Sequence, residues 1–180
     1  MQLLAISGSL REASTNTRLI RAAPALAPAG ATVLVYEGLG SLPPFNPDVE
    51  QGAALPSEPL ALRKLVAGSS GLVISSPEYA HGVPGTLKNA LDWLVGSLEF
   101  AGMPVALWNL SPRSVHARAQ LREVLATMAA VFPEGADIDL STEQAADGWV
   151  DGEPTGSVAA AVRRSLSTLI AGLGSDARRR

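Results

Sequence analysis

The sequence predicts a doubly wound α/β domain built on a five-stranded parallel sheet. Short apolar runs alternate with segments of helical period along the whole chain, the pattern of βαβ units. Two of the runs empty into loops of ligand-binding composition. Leu3-Leu4-Ala5-Ile6 leads into Ser7-Gly8-Ser9-Leu10-Arg11-Glu12-Ala13-Ser14-Thr15-Asn16-Thr17, and Gly71-Leu72-Val73-Ile74-Ser75-Ser76 leads into Pro77-Glu78-Tyr79-Ala80-His81-Gly82. Open α/β sheets bind ligands at such strand ends. In the order 2-1-3-4-5, strands one and three are neighbours whose crossovers leave toward opposite faces, which opens a crevice between these two loops.

Each element has its own signature. After the first strand, Asn16 and Thr17 offer caps for a helix carrying Leu19, Ile20 and Ala23 on one face. Pro24 falls inside that pattern, removes a backbone bond and predicts a kink. The second strand spans Ala31 to Tyr36. Between Glu37 and Pro56 lie Pro43, Pro44, Pro47 and three glycines, a long loop of the kind that is functional or mobile. A helix with Leu62, Leu65 and Val66 inward precedes the third strand, Leu72 to Ser75. The next helix starts near Pro84, a residue tolerated in a first turn, and buries Leu87, Leu91 and Leu94. Pro104 to Asn109 forms the fourth strand and ends in Leu110-Ser111-Pro112-Arg113-Ser114. Leu121, Val124, Leu125 and Met128 then recur at i, i+3, i+4, i+7 as a core-facing helix. A short strand near Ala136 to Leu140, a polar Gly-containing loop from Asp147 to Thr155 and a helix through Val158, Val162, Leu166, Leu169, Ile170 and Leu173 complete the chain. One domain over 1–174, followed by a basic tail over 175–180, is the expected organisation.

Bulk composition narrows the function. Fourteen basic and 17 acidic residues give a net charge of −3, so nucleic acid is not an expected partner. With no cysteine, disulfides, thiolate catalysis and Fe–S ligation are excluded. The two histidines, His81 and His116, show no metal-ligand spacing. No apolar run approaches the ~20 residues of a membrane span, and the first residues lack a basic flank and signal core. A cytoplasmic protein is expected.

The first loop suits a phosphate. Ser9, Ser14, Asn16 and Thr17 supply side-chain donors, Arg11 a forked cation, and the helix start unpaired N–H groups with a partial positive charge of about half a unit. Helix capping accounts for one or two of these residues, but not for four together with an arginine. Neither a P-loop nor a Gly-x-Gly-x-x-Gly is present, and strand one does not end in the acidic residues of a magnesium pocket. The second loop suits a flat, partly apolar ring: Pro77 and Tyr79 are rigid or planar, and Gly82 lets the main chain come close. Glu78 reads as a solvated or helix-capping carboxylate rather than a catalytic acid. His81 reads equally as an exposed loop residue and as a cofactor contact. Lys88 and Asp92, at i, i+4, read as a surface pair, and Trp93 as core or interface.

Together, Gly8-Ser9-Leu10-Arg11 with Ser14 and Asn16, Pro77-Glu78-Tyr79, and Pro84-x-x-Leu87-Lys88-Asn89-Ala90-x-Asp92-Trp93 resemble the NADPH-dependent FMN reductase family. Leu42-Pro43-Pro44-Phe45-Asn46-Pro47-Asp48 is similar to that family's loop after strand two. The likeness runs over about residues 2 to 130 and is thin beyond. It implies a flavodoxin-like fold holding FMN non-covalently, with Ser9, Arg11, Ser14, Asn16 and Thr17 on the phosphate. Pro77, Glu78, Tyr79, His81 and Gly82 would line the isoalloxazine. It also implies NADPH or NADH as co-substrate, a ping-pong hydride transfer to a flavin, quinone or other small-molecule acceptor, and a homodimer or homotetramer. The third loop departs from the glycine-rich pattern of many members. Ser111 would still touch the flavin, and Arg113 would either favour a 2′-phosphate or close the site. The rival reading is a flavodoxin-type electron carrier without a nicotinamide site. A charge of −3 and a single obvious stacking aromatic, Tyr79, weigh against it.

The exposed apolar surface expected for an interface comprises Trp93, Leu94, Leu98 and Phe100.

Overall fold

Alternate residues of each strand enter two separate cores, which makes the sheet doubly wound. In the computed structural model, which describes residues 1–52, 54–140, 144 and 147–176, the strands are β1 Gln2–Ser7, β2 Thr32–Tyr36, β3 Gly71–Ser75, β4 Val105–Asn109 and β5 Ile138–Asp139. All pair in parallel, in the order β2-β1-β3-β4-β5. The helices are α1 Thr15–Ala22, α2 Pro47–Glu50, α3 Ser57–Ala67, α4 Gly85–Val95, α5 Val115–Thr127 and α6 Gly156–Asp176.

One core joins Leu3, Ala5, Val73 and Trp108 to Leu19 and Ile20 of α1 and to Val158, Val162, Leu166 and Leu169 of α6. The other joins Leu4, Ile6, Leu72, Ile74 and Leu107 to α3, α4 and α5 through Leu62, Leu87, Leu91, Leu121 and Leu125. Helix α1, which follows β1, thus covers one face, and α4, which follows β3, covers the other. β1 and β3 are neighbours with Ile6 opposite Ile74, so the chain diverges between their C-terminal ends and leaves a crevice there.

Several elements differ from expectation, each for a local reason. Pro24 does not kink α1 but stops it, opening a 3-10 turn over Pro24–Leu26. The 37–56 segment is not an open loop. It contains a 3-10 turn at Leu39–Ser41 and the short α2, capped by Asn46 Oδ1, which accepts from Asp48 N at 2.9 Å. The polar stretch Asp147 to Thr155 holds a hairpin, β6 Trp149–Val150 with β7 Glu153–Pro154. Its turn residues, Asp151 and Gly152, have φ of 49° and 84°, as a two-residue type I′ connection requires. Helix α6 runs to Asp176, into the expected tail, and Arg178-Arg179-Arg180 lies outside the described residues.

The expected interface patch is also corrected. Trp93, Leu94 and Phe100 are buried at 0%, 0% and 1% exposure, and only Leu98, at 91%, stands out with neighbouring Val95, at 61%. Lys88 and Asp92 form the expected pair at 2.6 Å. No described helix is long and apolar enough to cross a membrane, and the described residues contain no group of three His, Cys, Asp or Glu that could hold a metal.

Candidate functional site

Three loops meet at the C-terminal ends of β1, β3 and β4 and enclose a cleft of about 260 Å³. Among the residues lining it are Ser9, Arg11, Ser14 and Asn16 from the first loop, Pro77, Glu78 and Tyr79 from the second, and Ser111 from the third. Thr17, His81 and Gly82 do not line it.

The first loop is folded by its own hydroxyls. Gly8 N donates to Ser75 O at 2.8 Å, carrying the ladder one residue past β1. Ser9 N then donates to Ser7 Oγ, and Ser9 Oγ accepts from Arg11 N, both at 3.2 Å. Thr17 turns inward. Its Oγ1 lies 2.8 Å from Ser7 Oγ and donates to Ser9 O at 3.3 Å, so it shapes the loop rather than the cleft wall. Ser14 is the α1 N-cap, accepting from Thr17 N at 3.3 Å. Arg18 N makes the first helical bond, to Ser14 O at 3.0 Å, which leaves the amides of Thr15 and Asn16 without intrahelical acceptors.

Asn16 is oriented from the sheet. Ser75, fully buried at the end of β3, has its hydroxyl 2.8 Å from Asn16 Oδ1 and 3.0 Å from Trp108 O, two acceptors for its one proton. Arg11 is exposed, and its Nη2 donates to Ala13 O at 2.7 Å. Capping therefore explains Ser14, while Ser9, Asn16 and Arg11 remain as a donor set around a helix N-terminus. That is the chemistry of a phosphate site.

In the second loop, Tyr79 and Gly82 bridge reciprocally, with N···O distances of 3.1 and 2.9 Å. The strained positions are Ala80 and His81, at φ of 48° and 60°, not Gly82. For residues with a Cβ this region costs about 1–2 kcal/mol each. Gly82 itself has no positive φ, and a Cβ on it would meet Gln120 Oε1 at 3.4 Å, an ordinary contact, so nothing within the protein demands glycine there. Glu78 is a helix cap at long range: its Oε2 accepts from Ala117 N, in the first turn of α5, at 2.9 Å. Tyr79 is 53% exposed at the mouth.

Asn109, the last residue of β4, was not singled out from sequence, yet it lines the cleft and its Oδ1 accepts from Ser111 N at 3.0 Å. Ser111 Oγ in turn accepts from Arg113 N at 3.3 Å. Asn109's place at a strand's C-terminal end was the available signal. A larger cavity of about 630 Å³ adjoins, sharing Asn109 and Ser114. Its arginines are already engaged, Arg118 with Asp137 and Asp139 and Arg122 with Asp137.

Donors at one end and rigid or aromatic surface at the other fit a phosphorylated, flat ligand. Residues 1–143 match the model of the family described as NADPH-dependent FMN reductase. The chain belongs to the NADPH-dependent FMN reductase family. The quinone reductase of Escherichia coli (strain K12) is 36% identical over 130 residues, 69% of each chain. The 2-hydroxy-1,4-benzoquinone reductase of Burkholderia sp is 33% identical over 132 residues, 70% of each. Among solved structures, the flavoenzyme NAD(P)H:(acceptor) oxidoreductase FerB from Paracoccus denitrificans superposes with a TM-score of 0.76 at 24% identity. It covers 94% of this chain and 97% of its own, a likeness of fold. As a member of the reductase family, the protein is an FMN-dependent NAD(P)H oxidoreductase with a flavodoxin-like fold.

Proposed function

We propose that the protein is a cytoplasmic quinone reductase in which Ser9, Arg11, Ser14 and Asn16 hold the FMN phosphate and residues 77–82 with Ser111 border the ring. The donor set around the α1 N-terminus carries this reading. Thr17 supports the phosphate end indirectly, by fixing Ser9. When bound, FMN supplies the two-electron chemistry, accepting a hydride from NAD(P)H and delivering it to the acceptor. The side chains orient and exclude water. Glu78, the one carboxylate on the cleft wall among the described residues, is tied to Ala117 N and is assigned no proton transfer. The exposed Tyr79 ring offers planar apolar surface to a flat acceptor, which accords with relatives named for quinones.

The test is direct. The purified protein is expected to show a flavin spectrum that bleaches with NADPH under anaerobic conditions and returns on adding a benzoquinone. Bound flavin that never bleaches would instead indicate an electron carrier without a nicotinamide site.

Arg11→Ala is expected to weaken FMN binding by about 1.5 kcal/mol, the low end for a hydrogen bond to a charged group because the guanidinium is exposed. Titration of the apoprotein at two salt concentrations measures this. An unchanged Kd at low salt would leave the phosphate to Ser9, Ser14, Asn16 and backbone amides.

A homodimer or homotetramer is proposed through α4 and the segment after it. Val95 and Leu98 stand exposed beside a groove of about 420 Å³ lined by Leu94, Phe100, Val124 and Met128. Light scattering at micromolar concentration is expected to give a multiple of the chain mass, and Leu98→Glu to lower it. A monomeric wild type would refute the assembly.

A further inference from the structure

The turn that borders the ring holds two residues with a Cβ, Ala80 and His81, in the left-handed region. Such a conformation persists where the surroundings over-determine it, and here the surroundings are the first two turns of α5. Glu78 Oε2 accepts from Ala117 N at 2.9 Å. The His81 ring stacks on His116, with centroids 4.4 Å apart and planes at 22°. Val83 N donates to Gln120 Oε1 at 2.8 Å. Three residues of 78–83 are thus fastened to three residues on one side of a helix that begins directly after the third loop.

We propose that Gln120 and His116 are positioning residues for hydride transfer. Touching the turn and standing off the cleft wall, they set where Tyr79 and Pro77 stand against the flavin ring. The inference rests on the reading that residues 77–82 border that ring. Affinity and geometry then separate. The phosphate end is organised by bonds among Ser7, Ser9, Ser14 and Thr17 that stay within its own loop and helix. Loosening the turn leaves the phosphate held while the reacting ring loses its fixed wall.

Two readouts test this. In the apoprotein, Gln120→Ala is expected to speed amide hydrogen exchange at Val83 about tenfold. Leu72, whose amide bonds to Pro104 O at 2.8 Å in the sheet, serves as the unchanged reference. Gln120→Glu, which keeps an oxygen acceptor, is expected to restore protection, and His116→Phe, which keeps a ring to stack on, to behave better than His116→Ala. In the loaded enzyme, Gln120→Ala is expected to leave the FMN Kd unchanged while flavin bleaching at saturating NADPH slows about tenfold. Unaltered Val83 exchange would overturn the proposal whether or not FMN binds. Faster exchange with an unaltered bleaching rate would overturn it too, by tying the turn to α5 but away from the reacting ring. A wild type that holds flavin and never bleaches would sink the functional reading and this proposal with it, a result distinct from the exchange measurement.

Discussion

Gly8→Val is expected to abolish useful FMN binding, raising Kd about a hundredfold or more, and to destabilise the fold by about 1–3 kcal/mol. Gly8 is the first residue beyond β1, and its amide still bonds to Ser75 O at 2.8 Å. A Cβ there would lie 2.7 Å from Ser76 Oγ and 2.9 Å from Leu87 Cδ2, and the two methyls of valine would add to the overlap. The Ser76 hydroxyl can rotate aside, but Leu87 is fully buried and Ser76 Cβ lies 3.1 Å from the added Cβ, so relief is expected to push the chain away from β3 as well. Ser9, Arg11 and the N-terminus of α1 move with it, and losing two charge-assisted hydrogen bonds is enough for the predicted weakening. Flavin titration of the apoprotein and a urea unfolding curve separate the two effects. Gly85→Ala is the control, because a Cβ there meets nothing within 4 Å. Near-native FMN affinity in Gly8→Val would mean that the first loop does not approach the ligand.

The sheet and the two loops that line its cleft were legible because they rest on local signals. Period, strand length and loop composition all lie within a few residues of one another. What escaped depends on contacts distant in sequence. Glu78 was legible as a capping carboxylate, but the helix it caps starts at Val115, and nothing near Glu78 names that partner. The turn at residues 79–82 drew attention to Gly82, since glycine is the usual bearer of positive φ. The structure gives that conformation to Ala80 and His81, held by α5. The hairpin at residues 149–154 was legible in principle from Asp151-Gly152, a strong two-residue turn signal, but its strands are only two residues long and show no alternation. The period of α4 correctly placed Leu87 and Leu91 inward. It did not reveal that the other side, with Trp93, is covered by residues 42–45.

That cover leads to the second large effect. Trp93→Ala is expected to destabilise the protein by about 3–5 kcal/mol, a major share of the ~5–15 kcal/mol available to a domain. The ring is fully buried and meets Phe45 edge to face at 5.0 Å and 86°. Its Nε1 donates to Pro43 O at 2.8 Å, an oxygen that also accepts from Asn89 Nδ2 at 2.9 Å. Asn89 Oδ1 completes the clamp by accepting from Phe45 N at 2.7 Å. Arg63 donates to Trp93 O at 2.8 Å and pairs with Glu50 of α2. The Pro-rich segment is therefore fastened along α4, and through it Leu39 and Leu42 reach the core. Trp93→Phe, which keeps a ring but loses the donor, is expected to lower stability by about 1–2 kcal/mol. None of these residues lines the cleft between the three loops, so FMN affinity of the still-folded fraction should change little. Urea midpoints and flavin titrations on Trp93→Ala, Trp93→Phe and Asn89→Ala provide the comparison. If Trp93→Phe and Asn89→Ala both match the wild type in stability, residues 42–45 are not clamped by α4. The burial of Trp93 alone would then have to account for the alanine variant.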